Sequence, residues 1–283
     1  MKCLVLGGTR YFGKVLVSGL LAEGHEVTIL TRGQAGDVFA SNIERLRCDR
    51  VDEDQLRRVL KGRHWDVVYD QICYAPDEGR GLLAAIGDRC GRLIVTSSQS
   101  VYDEGADLFE SAFDTYAEPL VGGNRDAANY QLSKRRMEAV LAQQSSIPVT
   151  LVRFPIVLGP NDYTERLKWH VDRIGQADGI FLPNPNARIS FVHEQDAGGF
   201  LAWAAGGKVT GPVNACSPDP IQLSHLMEQI SQSRGLTFSN ASVRTKDNAS
   251  PFGIKADWWM NAGKATAAGF NFRPIKGWLP SLI

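Results

Sequence analysis

The sequence predicts an α/β protein with a doubly wound parallel sheet, and three observations predict it. Short apolar runs alternate with stretches of helical periodicity through the first half of the chain. Those runs show little polar alternation, as expected of strands covered on both faces. The first run also ends in paired glycines that open a helix, which places a tight turn at the carboxyl end of a buried strand.

Each element can be read in order. Residues 3–6 form the first strand, and Gly13 opens a helix in which Val15, Leu16, Leu20 and Leu21 recur at helical spacing until Gly24 ends it. Further strands are read at residues 26–30, 43–47, 67–70, 92–96 and 149–153. Helices are read at 52–60, at 76–90 and at 130–144, the last closed by Ser145, Ser146 and Pro148. After Phe154, prolines such as Pro155, Pro160, Pro183 and Pro185 punctuate shorter elements, which predicts a smaller, loop-rich region. Phe191-Val192 and 213–215 are expected to return to the main sheet.

Composition narrows the function classes. The 283 residues are 43% hydrophobic and 22% charged, ordinary values for a globular chain with a sizeable core. Lys plus Arg and Asp plus Glu both number 31, so the net charge is zero and no basic stripe points to nucleic acid. The five cysteines are scattered, odd in number and without a CxxC pair, which argues against a disulfide framework and against a metal site. The apolar start stops at Gly7-Gly8, too short for a secretory signal, and no run approaches the ~18 residues of a membrane span. A cytoplasmic location without membrane association is the expectation.

The segment Leu4-Val5-Leu6-Gly7-Gly8-Thr9-Arg10-Tyr11-Phe12-Gly13 carries the first chemistry. A strand feeding a glycine turn at a helix N-terminus offers free N–H groups and a positive dipole end to a pyrophosphate, the arrangement of a Rossmann-type dinucleotide site. Gly7 permits the sharp turn, and Gly13 lets the helix lie close to the strand. The second strand ends in Thr31-Arg32-Gly33, where an NAD site usually has an acidic residue for the ribose hydroxyls. With Arg32 there and Arg10 in the turn, two guanidinium groups can grip a 2′-phosphate. NADP is therefore favoured as cofactor, with NAD the alternative. Residues 1–154 are read as the dinucleotide-binding domain, with 191–216 returning to it. Residues 155–190 and 217–283 are read as the smaller substrate-binding region.

A second constellation is Tyr130-Gln131-Leu132-Ser133-Lys134, whose four-residue spacing places ammonium and phenol on one helix face. It follows Thr96-Ser97-Ser98-Gln99-Ser100-Val101-Tyr102 at a strand end, where such sheets face their ligand crevice.

In that order, Gly-Gly-Thr-x-x-x-Gly, Ser-Ser-x-x-Val-Tyr and Tyr-x-x-x-Lys resemble the extended or atypical short-chain dehydrogenase/reductases, the NAD-dependent epimerase/dehydratase-like family. Residues 153–160 are similar to that family's Arg-Pro-x-Asn-Val-Tyr-Gly-Pro segment, 191–196 to its Phe-Val-His-Val-x-Asp run, and 264–270 to its closing Leu-Gly-Phe element. The resemblance implies catalytic roles for Ser98, Tyr130 and Lys134. Tyr130 would be the general acid/base, Lys134 would stabilise its phenolate, and Ser98 would hydrogen-bond the reacting oxygen. It implies a cofactor site of Gly7, Thr9, Arg10, Tyr11, Phe12, Gly13, Arg32, Asp49, Tyr130, Lys134 and Pro155, with Asp49 against adenine. Family members often dimerise through helices like 76–90 and 130–144.

The departures from the family bear on the reaction. Arg10 stands at the middle glycine of Gly-x-x-Gly-x-x-Gly. Gln99-Ser100 replace the Asp-Glu that follows the catalytic hydroxyl in sugar dehydratases, so the acid/base pair for eliminating water is missing. Ile156 and Leu158 replace the usual Asn and Tyr of the 153–160 segment, which weakens the case for a sugar nucleotide. Asp70 is either a functional carboxylate or a helix cap, Arg188 either a diphosphate grip or a surface residue, and His193 is read as structural. Trp258-Trp259-Met260 is either core or pocket wall. The leading expectation is an NADP-dependent reductase or dehydrogenase of a small metabolite. A sugar-nucleotide epimerase with retained cofactor and a non-catalytic NADP- or RNA-binding relative are the alternatives.

Overall fold

The computed structural model describes residues 1–34, 36, 38–39, 43–126 and 128–283. Strand β1 (Lys2–Leu6) is buried from Cys3 onward on both faces, so its apolar run needs no alternation. Helix α1 (Phe12–Ala22) follows, then β2 (Glu26–Thr31), β3 (Glu44–Arg47), α2 (Glu53–Leu60) and β4 (Trp65–Asp70). Asp52 caps α2 by accepting from the Gln55 N–H at 2.9 Å, and Glu53 and Asp54 in its first turn complement the helix dipole. Helix α3 (Pro76–Ile86) starts on a proline and ends at Gly87, whose φ of +55° breaks the helix.

The helix read at 76–90 is therefore shorter than the sequence suggested, and Cys90 begins β5 (Cys90–Ser98) instead. Gly91 is what allows this: a Cβ there would sit 2.7 Å from the Asp66 carbonyl oxygen of β4. A short β6 (Gly105–Leu108) precedes α4 (Tyr130–Gln144), which has the bounds the sequence gives. The remaining large-sheet strands are β7 (Val149–Phe154) and, further along, β11 (Gly211–Asn214).

These strands form a seven-stranded parallel sheet in the order β11-β7-β5-β4-β1-β2-β3. Strand order reverses direction between β1 and β4, which opens a crevice at their carboxyl ends. Helix α1 and α6 (Glu194–Ala204) pack on one face, over a core that includes Leu16, Val17, Phe200 and Leu201. Helices α2, α3 and α4 cover the other face, over Leu56, Leu82, Met137 and Leu141.

The second half differs from expectation in one respect. Residues 211–214 join β7 in the main sheet, but β10 (Phe191–His193) pairs with β8 (Ile156–Leu158) in a separate two-stranded parallel sheet. Pro155, which lacks an N–H to continue a ladder, separates β7 from β8. A four-stranded sheet runs β12 (Ile221–Gln222), β9 (Arg188–Ile189), β13 (Trp258–Met260), β6. Helices α5 (Arg166–Arg173) and α7 (Leu223–Arg234) contribute to a third apolar cluster, with Phe191, Phe252 and Trp278. No helix among the described residues is long and apolar enough to cross a membrane.

His170 lies fully buried in this third cluster, its ring stacked on Phe252 at 4.4 Å. Its Nε2 is 2.7 Å from Ser250 Oγ and its Nδ1 is 2.7 Å from the Arg166 carbonyl. Burial pushes its pKa down from 6.5 to about 4, against the opposing pull of that carbonyl. Because the unfolded chain takes up the proton first, stability is complete above about pH 6.5 and declines as pH falls toward 4, by up to about 3 kcal/mol. Urea midpoints measured across that range are expected to show the loss in wild type, and a His170→Phe variant to show a smaller one.

Candidate active site

A cleft of about 1110 Å³ lies over the carboxyl ends of β1, β4 and β5, where strand order reverses. The glycine turn forms its floor. Gly7 and Gly8 have φ of +92° and +87°, and a Cβ on Gly8 would lie 2.9 Å from a Val5 methyl. A Cβ on Gly13 would lie 2.9 Å from Gly8 Cα, so the expected close approach of helix and strand is present. Tyr11 caps α1 with φ 51°, a strained value for a residue with a side chain, and the first turn of α1 has no acidic residue. An anion at this helix end therefore meets no carboxylate from the helix itself.

Of the residues singled out from the sequence, Gly7, Thr9, Arg10, Tyr11, Phe12, Arg32, Asp49, Ser98, Tyr130, Lys134 and Pro155 all line this one cleft. Gly13 lies beneath it, serving the packing of α1. Arg10 and Arg32 are exposed on the wall and form no ion pair with the described residues. Thr31 accepts from the Gly33 N–H at 3.1 Å. The Arg47 side chain lies against Gly33, its Nε 3.0 Å from where a Cβ would be, so a third guanidinium borders the same corner.

Lys134 organises the centre. It is 2% exposed, and its ammonium donates to the Cys73 carbonyl at 2.7 Å and the Thr96 carbonyl at 3.0 Å. It lies 4.6 Å from the Tyr74 ring centroid and 5.9 Å from that of Tyr130. Asn129 caps α4 by accepting from Leu132 N–H at 3.2 Å, which fixes Tyr130 as the first residue of the helix. Tyr130 is 39% exposed at the cleft. Ser98 ends β5, and its Oγ accepts from the Ser100 N–H at 3.1 Å. Ser97, one residue back, points elsewhere and bonds the buried Glu138.

Other residues of interest are resolved differently. Asp70 is fully buried and is no helix cap; it accepts from Ile72 N–H at 3.0 Å and pairs with Arg50. Arg50 also reaches Glu78 at 2.8 Å, and Glu78 pairs with Arg125, whose guanidinium lies 4.7 Å from the Tyr74 ring centroid. Burial opposes the charge on Arg50, but Asp70 and Glu78 outweigh it and hold the guanidinium protonated. Arg188 donates to Asp257 at 2.9 and 3.2 Å and is absent from the cleft wall, so it is not free to grip a diphosphate. His193 caps α6 by accepting from Gln195 N–H at 3.1 Å, a structural role. Trp258 is pocket wall, while Met260 is core.

The cleft contains residues that the sequence did not single out. Gln71 and Tyr74 follow β4, and Asp162, Tyr163 and Arg166 border the opposite side. Gln71 directly follows Asp70, a residue the sequence singled out; the others depend on folding of distant loops. Several wall residues hold buried polar atoms without a protein partner: Tyr11 OH, Gln71 Nε2, Thr96 Oγ1, Gln99 Oε1, Ser100 Oγ, Asp162 Oδ2 and Trp258 Nε1. Buried polar groups ordinarily find partners, and these wall atoms have none within the protein. Among the described residues no cluster of His, Cys, Asp and Glu could hold a metal ion.

Comparison with known proteins agrees with this fold. Residues 3–76 match the NAD dependent epimerase/dehydratase family. The resemblance read from the sequence is thereby borne out. Over 202 residues the chain is 29% identical to the chloroplast stem-loop binding protein of 41 kDa b of Arabidopsis thaliana, covering 67% of this chain but only 50% of that one. The chain thus spans about half the length of that relative. Over 254 residues it is 26% identical to 2'-dehydrokanamycin reductase of Streptomyces kanamyceticus, covering 86% of this chain and 69% of the relative. The fold is that of UDP-glucose 4-epimerase from Thermus thermophilus, whose structure contains NAD, with a TM-score of 0.72 at 18% identity over 97% and 94% of the two chains.

The buried Asp70–Arg50–Glu78 chain supports the loops after β3 and β4 that border the cleft. Replacing Arg50 leaves the fully buried Asp70 carboxylate without a cation, so Arg50→Met is expected to lower stability by about 3–5 kcal/mol, read from the urea midpoint.

Proposed function

We propose that this chain is an NADP-dependent oxidoreductase of the short-chain dehydrogenase/reductase type, acting on a carbonyl/alcohol pair of a small metabolite. One observation carries the reading: the buried Lys134 ammonium, pinned by two main-chain carbonyls, beneath the Tyr130 ring in a cleft that also contains Ser98. The similarity over most of the chain to a relative named as a reductase, 2'-dehydrokanamycin reductase, supports it.

The residues present suit a dinucleotide. The glycine floor leaves no room for a Cβ, and Tyr11 OH, Gln71 Nε2 and Thr96 Oγ1 are buried without partners along it. Arg10 in the glycine turn and Arg32 just past β2, both unpaired on the cleft wall, suit a 2′-phosphate, and Asp49 borders the region for adenine. A nicotinamide bound in this cleft would supply or accept the hydride.

The chain's own groups handle the proton. Tyr130 donates a proton to the carbonyl oxygen in reduction and withdraws one from the alcohol in oxidation. The phenolate left after donation faces the positive charge of the buried Lys134, which stabilises it. Two of the three ammonium N–H groups are committed to Cys73 and Thr96, so the lysine cannot swing away from this post. Ser98 contributes a hydroxyl to hold the reacting oxygen beside the phenol.

A second reading is favoured by the chloroplast relative, whose name describes stem-loop binding: a dinucleotide-binding fold used to bind RNA without catalysis. Tyr130→Phe separates the two. On the oxidoreductase reading it lowers kcat by about 10²–10⁴-fold while the cofactor Kd changes little. A near wild-type rate, or cellular activity untouched by the change, overturns catalysis by Tyr130.

Cofactor choice is testable by thermal shift. NADP is expected to raise Tm more than NAD at equal concentration, and Arg10→Ala with Arg32→Ala to erase the difference. Equal responses in the wild type would refute the NADP assignment.

A further inference from the structure

A second phenol, that of Tyr74, stands nearer the buried ammonium than Tyr130 does. The Tyr74 ring centroid is 4.6 Å from Lys134 Nζ, against 5.9 Å for Tyr130, and the two rings are 6.3 Å apart. Its hydroxyl has no hydrogen-bond partner among the described residues and, unlike the Tyr11 hydroxyl, is not buried. The side chain thus brings an accessible, unused donor to the cleft wall. Burial of the rest of the side chain pushes its pKa up to about 12, so the phenol keeps its proton at neutral pH.

The ring is also fixed before anything binds. The Tyr74 N–H donates to Glu78 Oε2 at 3.0 Å, and the Arg125 guanidinium, itself paired with Glu78, lies 4.7 Å from the ring centroid. Two cations from different segments therefore hold the ring through its π system, without using the hydroxyl.

Sheet order indicates which part of a dinucleotide passes this hydroxyl. Arg32 and Asp49, suited to the 2′-phosphate and adenine, lie past β2 and β3; the glycine turn follows β1, and Ser98 ends β5. Strand β4 lies between β1 and β5, and Tyr74 follows β4. A cofactor with its pyrophosphate on the glycine turn and its reactive ring at Tyr130 therefore passes the intervening ribose over the end of β4.

We infer that Tyr74 is a further cofactor-holding residue, its hydroxyl donating to a hydroxyl of the ribose that bears the nicotinamide. The inference rests on the oxidoreductase reading for the direction in which the cofactor lies.

The test is calorimetric titration of wild type and Tyr74→Phe, which keeps the ring and removes the hydroxyl, with three ligands of increasing length. 2′-Phosphoadenosine 5′-diphosphate ends at the pyrophosphate, 2′-phospho-ADP-ribose adds the ribose, and NADPH adds the nicotinamide. Tyr74→Phe is expected to weaken the two ribose-bearing ligands about three- to tenfold, the loss of one neutral hydrogen bond, and to leave the diphosphate unchanged. Equal affinities of the two proteins for all three ligands overturn the inference. So does a loss already present with the diphosphate, or one confined to NADPH, since each puts the contact on another part of the cofactor. The parent reading fails separately: a Tyr130→Phe variant with a near wild-type rate removes the oxidoreductase and leaves the Tyr74 contact standing. A wild type that binds neither NADPH nor NADH removes both.

Discussion

The arrangement of the cleft depends on one buried ammonium. Lys134 cannot be hydrated where it sits, so the free energy of its charge is carried by the carbonyls of Cys73 and Thr96 and by the faces of Tyr74 and Tyr130. Those carbonyls come from the ends of β4 and β5, and the lysine comes from α4. A single side chain therefore ties two adjacent strand ends to the helix that covers them, and the phenol one turn away is located by the same tie.

Around that centre the polar interior is divided into two sets of buried groups. Glu138 and Arg153, both fully buried, join α4 to β7, with Ser97, Thr115 and Tyr102 completing the bonding and Tyr102 continuing to Asn214 of β11. Asp70, Arg50, Glu78 and Arg125 do the corresponding work on the cofactor side, joining the loops after β3 and β4 to α3. Burying such charges does little for net stability, but leaving one unpaired is strongly unfavourable, so each set admits one geometry. The glycine turn meets the same demand sterically, through the contact of Gly13 with Gly8.

Much of this was legible in the sequence where local chemistry decides the outcome. The doubly buried strands read as apolar runs, Asp52 and Gly24 marked helix ends, and four-residue spacing put Lys134 beneath Tyr130. The glycine spacing gave the close approach of α1. Legibility ended where distant partners decide. Strands β9 and β12 have two residues each and exist only through their pairing, and Phe191-Val192 was apolar enough for the main sheet yet went to β8. Asp70 was recognisable as unusual, but its partners Arg50 and Glu78 follow no period. Arg188 looked available until Asp257, far along the chain, was placed beside it. The pocket wall at Trp258 became distinguishable from core only in three dimensions.

The Glu138–Arg153 pair has a consequence for how this protein can diverge. Helix α4 carries the phenol and the ammonium on its first turns and the Glu138 half of this pair on the next, so drift that repositions the helix must break a fully buried pair first. The segments that supply Asp162, Pro251 and Trp258 to the cleft wall contain no fully buried ion pair among the described residues. Lineages of this fold can thus exchange the molecules they recognise by remodelling one rim, while the proton-handling apparatus is inherited intact.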